Sequence, residues 1–112
     1  MPRDPGVFLD DIVEACRKIQ RYTSGLTSER FRSDERTIDA VVRNLEVIGE
    51  AAKKLPDSTR SNISGIEWSR IAGLRDILIH EYFGIDIDLI WDIVETKVPE
   101  LLRRIEEYLG RG

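Results

Sequence analysis

The sequence predicts an all-α protein, an up-down bundle of four to five helices that dimerises. Three observations predict the helical class. Apolar residues recur every three or four positions over helix-length stretches. β-branched alternation and Asn-Gly or Asp-Gly hairpin dipeptides are absent. Breakers at Pro2, Pro5 and Gly6, at Gly25, from Pro56 to Gly65, at Gly84, and at Gly110 and Gly112 cut the 112 residues into pieces of helix length. No internal repeat, low-complexity stretch or long linker interrupts them, so residues 1–112 read as one domain.

The first helix is expected from about Gly6 to Thr23. Asp4 caps it and Pro5 takes the first helical position. Phe8, Ile12, Ala15, Cys16, Ile19 and Tyr22 form its apolar stripe, and Gly25 ends it. A short turn from Ser28 to Phe31 follows. The second long helix runs from about Asp34 to Leu55, with Ser33 as its N-cap and Pro56 as its stop. Its main stripe is Ile38, Val41, Val42, Leu45, Ile48, Gly49 and Ala52. A smaller strip of Ala40, Val47 and Ala51 lies opposite. That strip fits either a well-buried helix or a further packing partner, such as another subunit. The third helix runs from about Glu67 to Phe83 and ends at Gly84. The fourth runs from about Asp86 to Leu109, with Val94, Val98, Leu101, Ile105 and Tyr108 as its stripe. Pro99 kinks or restarts it, because proline lacks a backbone donor.

Composition excludes several classes. Apolar residues are 41% and charged residues 34%, which is globular rather than disordered. The formal net charge is −4, which argues against a broad basic surface for duplex nucleic acid and leaves room for a local basic cleft. Binding to DNA is not expected. Cys16 is the single cysteine and His80 the single histidine. An intrachain disulfide and a zinc site of several His or Cys ligands are therefore excluded, and no metal or other cofactor is expected. No apolar run spans a bilayer and the N-terminal residues lack a signal-peptide pattern, so a cytoplasmic protein without a membrane partner is the expectation.

The third helix is the unusual one. At about 100° per residue, Trp68, Ile71, Ala72, Ile79 and Phe83 cover one side, and Leu74, Ile77 and Leu78 cover the opposite side and one flank. A helix apolar on most sides is a buried helix. Yet Arg75 and Tyr82 point into the middle of the first apolar side, where a permanent cation needs an anionic partner or a cleft. Asp76 and His80 are four apart and stack on the adjacent face, so the carboxylate can hold the imidazole in one tautomer. Such a set suits RNA cleavage without metal. Histidine accepts the ribose 2′-hydroxyl proton, and arginine stabilises the charge of a phosphorane-like transition state. One histidine cannot be both base and acid, so an enzyme of this kind needs two chains meeting across a two-fold axis.

Each of these residues also has a plain structural reading. Arg75 can pair with Glu46 or Glu50. His80 can be a satisfied core histidine and Tyr82 a core aromatic. Asp76 can bond to Ser69 or Arg70. Trp68 and Trp91 read as core, and Cys16 as a small buried hydrophobe. The basic clusters (Arg17, Lys18, Arg21; Arg30, Arg32, Arg36; Lys53, Lys54; Arg103, Arg104) read as solvated faces, one of which can line an RNA path.

The residues Arg75, His80 and Tyr82 form an Arg-x4-His-x-Tyr pattern. With Ala40-Val-Val-Arg-Asn-Leu-Glu-Val-Ile-Gly-Glu-Ala-Ala-Lys53, the run from Trp68 to Asp86, and Trp91, the chain resembles the HepT-like, DUF86 branch of the HEPN superfamily over nearly its whole length. Asp76 fits that superfamily's habit of a polar residue after the arginine. The resemblance implies a dimeric all-α bundle with a composite cleft, acting as a metal-independent endoribonuclease toxin of a type VII toxin–antitoxin pair. It implies RNA as substrate and an MntA-like nucleotidyltransferase as antitoxin, which transfers AMP from ATP onto the motif tyrosine. Arg75 would then stabilise phosphate charge, His80 would be the acid/base, and Tyr82 the AMPylated residue. A nucleotide phosphate on the face of Arg75 would repel an anionic substrate. The competing expectation is a non-catalytic helical module that binds a nucleotidyltransferase or a nucleotide in the same cleft.

Overall fold

The computed structural model describes residues 4–80 and 86–111, with residues 75–80 as helix backbone. The described residues form helices and turns, with no strand among them. Among the described residues seven α-helices follow in order: α1 (Pro5–Thr23), α2 (Ser28–Arg32), α3 (Glu35–Lys54), α4 (Asp57–Asn62), α5 (Trp68–His80), α6 (Ile87–Asp92) and α7 (Val98–Tyr108). A π-helical turn, Ile93–Lys97, joins α6 to α7. The all-α bundle expected from the sequence is present.

The caps explain the boundaries. Asp4 Oδ1 accepts the Gly6 N–H at 2.7 Å and Pro5 opens α1. At the other end the Thr23 hydroxyl donates to the Ile19 carbonyl at 2.8 Å, and Gly25 turns the chain with φ +77°. Thr27 caps α2 by accepting the Arg30 N–H. Asp34, rather than the expected Ser33, caps α3. Its Oδ1 accepts the Thr37 N–H and its Oδ2 accepts the Thr37 hydroxyl. Ser33 instead donates its hydroxyl to the Arg30 carbonyl at the end of α2. Both residues have capping chemistry, and the one-residue register went to the carboxylate because it can take two donors from Thr37.

Three expectations are refined. The turn at Ser28–Phe31 is a full short helix, held by Phe31, which is wholly buried and lies 5.0 Å from the Trp91 ring. The breaker-rich stretch after Pro56 contains α4. The fourth long helix is three pieces. Pro99 has no N–H and its ring crowds the carbonyl four residues back. The ladder widens just before it, and the Val98 N–H reaches the Ile93 carbonyl five residues back. The helix then restarts as α7 with Pro99 in its first turn. It closes in a Schellman motif: Gly110 (φ +75°) donates to Glu107 and Arg111 to Glu106.

The core joins Ile12, Cys16 and Ile19 of α1, Val41, Leu45 and Ile48 of α3, and Val98, Leu101 and Ile105 of α7. Tyr22 and Tyr108, expected on apolar stripes, are 40% and 44% exposed. Both lie in the last turn of their helices, where little of the neighbouring helix remains to cover them. Of the opposite strip on α3, Ala51 is buried and Val47 is half-buried against the core. Trp68 and Trp91 are half-buried against the core, and the Trp68 indole N–H donates to the Arg60 carbonyl at 3.1 Å.

Candidate functional site

α3 is the central helix of the bundle and packs against both α1 and α5. The direction of α5 follows from its ends. Its first residue, Trp68, is tied to α4, which follows the end of α3. The chain beyond α5 re-enters at α6, where Asp88 pairs with Arg32 just ahead of the start of α3. α5 therefore runs antiparallel to α3. Its last two turns, which hold Arg75, Asp76 and His80, lie at the end of the bundle where α3 begins. α1 also runs antiparallel to α3, since the Lys54 ammonium lies over the Phe8 ring at 6.0 Å. The C-terminal end of α1 and all of α2 therefore share that end of the molecule.

The backbone of α5 is unbroken from Trp68 to His80. It places Arg75 and His80 about 7.5 Å apart along the axis and Asp76 one helical turn before His80. Tyr82 lies outside the described residues. The described side chains of α5 are apolar for the most part, yet none is fully buried: Trp68, Ile71, Ala72 and Leu74 are all half-buried. The main neighbour of α5 is α3.

The structure sorts the basic clusters that the sequence left unranked. Arg17 binds Glu106 at 2.7 Å, Lys18 approaches Glu14 and Arg32 pairs with Asp88. Arg103 and Arg104 both hold Glu100, and Arg104 also donates to the Ser64 carbonyl. The Arg104 and then the Arg103 hydrogen bonds hold the Glu100 carboxyl below its usual range. These pairs sit largely in solvent and each contributes little to stability. Glu46 and Glu50 are both half-buried, and Glu50 reaches Lys54 at 3.9 Å. Cys16 is fully buried, and desolvation, followed by the nearby Glu106 charge, pushes its thiol up to about 12. Among the described residues, no group of three or more His, Cys, Asp or Glu side chains is placed to hold a metal ion, and no helix is long and apolar enough to cross a membrane.

The fold is an all-α bundle whose helix α5 carries an arginine and a histidine in its last turns. The chain belongs to the HepT-like family: the family model "Ribonuclease HepT-like" matches residues 12–108, which includes the whole of α5. The chain is 46% identical over 110 residues to "Putative RNase MJ0127" of Methanocaldococcus jannaschii, covering 97% of this chain and 91% of that one. It is 39% identical to "Putative RNase TTE0752" of Caldanaerobacter subterraneus subsp. tengcongensis, with 97% of each chain covered. It is 38% identical to "Probable ribonuclease HepT" of Thermococcus cleftensis, over 96% of this chain and 97% of that one. No solved structure matches.

Proposed function

We propose that the protein is a metal-independent endoribonuclease toxin. Two chains would join their Arg75 and His80 residues in one cleft. The observation that carries this reading is the family match over residues 12–108 together with the position of Arg75 and His80 five residues apart in the last turns of α5.

The chemistry balances with these groups alone. One His80 imidazole takes the proton of a ribose 2′-hydroxyl, and the 2′-oxygen attacks the adjacent phosphorus. The 5′-oxygen leaves and takes a proton from the imidazolium of the second chain. The products are a 2′,3′-cyclic phosphate and a free 5′-hydroxyl. Arg75 donates to the equatorial phosphate oxygens as negative charge builds on them. Asp76 is the positioning residue that orients His80.

Control would come from an MntA-like nucleotidyltransferase. The Tyr82 phenol oxygen attacks the α-phosphorus of ATP, pyrophosphate leaves, and the AMP phosphate brings a negative charge to the motif. Incubation with RNA in EDTA tests the activity. The wild type cleaves, and Arg75→Ala and His80→Ala each lose on the order of 100-fold or more; equal cleavage by all three contradicts the reading. Intact mass after mixing with the nucleotidyltransferase and ATP tests the modification. AMP addition that persists in Tyr82→Phe refutes Tyr82 as the acceptor.

A further inference from the structure

We propose that single-stranded RNA reaches the motif across a basic corner made by the end of α1 and the α2–α3 junction, with Arg21, Arg30 and Arg36 holding phosphates and Tyr22 stacking on a base. The proposal rests on the ribonuclease reading and adds to it the track and the form of the substrate.

Charge is unevenly distributed along the chain. Residues 17–33 hold Arg17, Lys18, Arg21, Arg30 and Arg32 against a single acid, Glu29, in a chain whose formal net charge is −4. Arg36 follows in the first turns of α3. The structure then separates cations already engaged from those available. Arg17, Lys18 and Arg32 have acidic partners. Arg21, Arg30 and Arg36 are exposed and make no ion pair among the described residues. Arg30 and Arg36 line one shallow cleft with Leu26 and Ser33, and Arg21 lines the next with Gln20 and Ser24. The acids on this corner are Glu29, Asp34, Glu35, Asp88 and Glu106, of which Asp88 and Glu106 are paired with Arg32 and Arg17. Asp34 is occupied by its two bonds to Thr37.

An aromatic lies in the same place. Tyr22 is 40% exposed, and the Arg21 guanidinium carbon lies 6.0 Å from its ring centroid. Exposed aromatic faces beside cations are how proteins hold unpaired bases, because every base offers a π-face once it is unstacked. A duplex hides those faces. The topology supplies the destination: the antiparallel packing of α1 and α5 on α3 brings this corner to the end of the bundle that holds Arg75 and His80. A flexible single strand also lets the 2′-oxygen, phosphorus and 5′-oxygen come into line, which the A-form duplex resists.

The test measures binding of a short fluorescein-labelled single-stranded RNA to the His80→Ala protein across a salt series. The triple change Arg21→Gln, Arg30→Gln, Arg36→Gln is expected to weaken binding by tenfold or more. It should also lower the slope of log affinity against log salt by about 2, from about 0.7 per phosphate contact. Tyr22→Ala is expected to weaken binding about tenfold and Tyr22→Phe to keep it. Lys54→Gln and Arg111→Gln, at the other end of the bundle, serve as controls and are expected to bind like the parent. Arg21, Tyr22, Arg30, Arg36, Lys54 and Arg111 are exposed, and thermal unfolding verifies that each variant is folded. Parent-like affinity and salt slope in the triple variant, while the wild type still cleaves RNA, overturn the track and leave the ribonuclease reading intact. Equal binding of duplex and single strand with no effect of Tyr22→Ala marks a general polyanion surface and also overturns it. A His80→Ala parent that does not bind RNA, together with a wild type that does not cleave it, overturns the ribonuclease reading and the track with it.

Discussion

Cys16 and Asp34 show how far single residues were legible. Cys16 sits on the stripe that periodicity marked, and the structure buries it fully. Its thiol is pushed up to about 12, so little thiolate forms at ordinary pH. A thiol reagent at mildly alkaline pH is expected to leave the native protein unmodified and to label it quantitatively in denaturant; rapid native labelling would contradict the packing of α1. Asp34 was not identified as the cap, because Ser33 offers the same chemistry one position earlier and only the Thr37 hydroxyl and amide decide between them. Those bonds, helped by Arg36, hold the Asp34 carboxyl below its usual range. The sign follows directly. The unfolded carboxyl binds a proton more readily, so the cap stabilises the fold above the ordinary carboxylate range, and that contribution is lost as pH falls through the folded value. Asp34→Ala is expected to lower Tm near neutral pH and to bring the two proteins' Tm values together in acid. A constant Tm difference at all pH values would show that the carboxylate charge is not what matters. At the motif, sequence alone could place Arg75, Asp76 and His80 on one helix. It could not choose between a core and a cleft, because spacing carries no information about what lies opposite.

At the scale of elements, α1 and α3 were legible because each buries a continuous stripe, and they begin and end within a residue or two of the expected positions. α4 was not, because Asp57–Asn62 is polar throughout and too short for a period to show. It is held from outside, through Thr59, Ile63 and the Trp68 bond to Arg60. The restart at Pro99 was legible from chemistry, but the widened turn before it was not. α2 is the most exacting test of packing. Five residues cannot hold a helix by themselves, and α2 is anchored by Phe31 against Trp91. Phe31→Ala is expected to destabilise the protein by about 3–5 kcal/mol in denaturant unfolding. A loss under about 1 kcal/mol would mean that α2 is an appendage and not part of the core. Because α2 also carries Arg30 and Arg32 and pairs through Arg32 with Asp88 of α6, its packing fixes the corner that faces the motif end.

At the scale of the molecule, the arrangement of antiparallel helices on α3 brings scattered sequence features to one end of the bundle. The basic stretch of residues 17–33 and Arg75 of α5 are more than forty residues apart in sequence and lie toward the same end of the bundle. Net acidity concealed this, since a whole-chain charge does not report polarity. One histidine per chain leaves the proposed reaction short of either its base or its acid, so the proposal requires a second chain. In solution the protein is expected to sediment at twice 12.9 kDa. The cleavage rate of heterodimers that pair one intact chain with one His80→Ala chain, purified through two different tags and assayed on RNA in EDTA, tests the composite site most directly. A shared cleft predicts activity close to that of the His80→Ala homodimer, because removing either histidine breaks the acid–base pair. Retention of half the wild-type rate would show two independent sites and would contradict it.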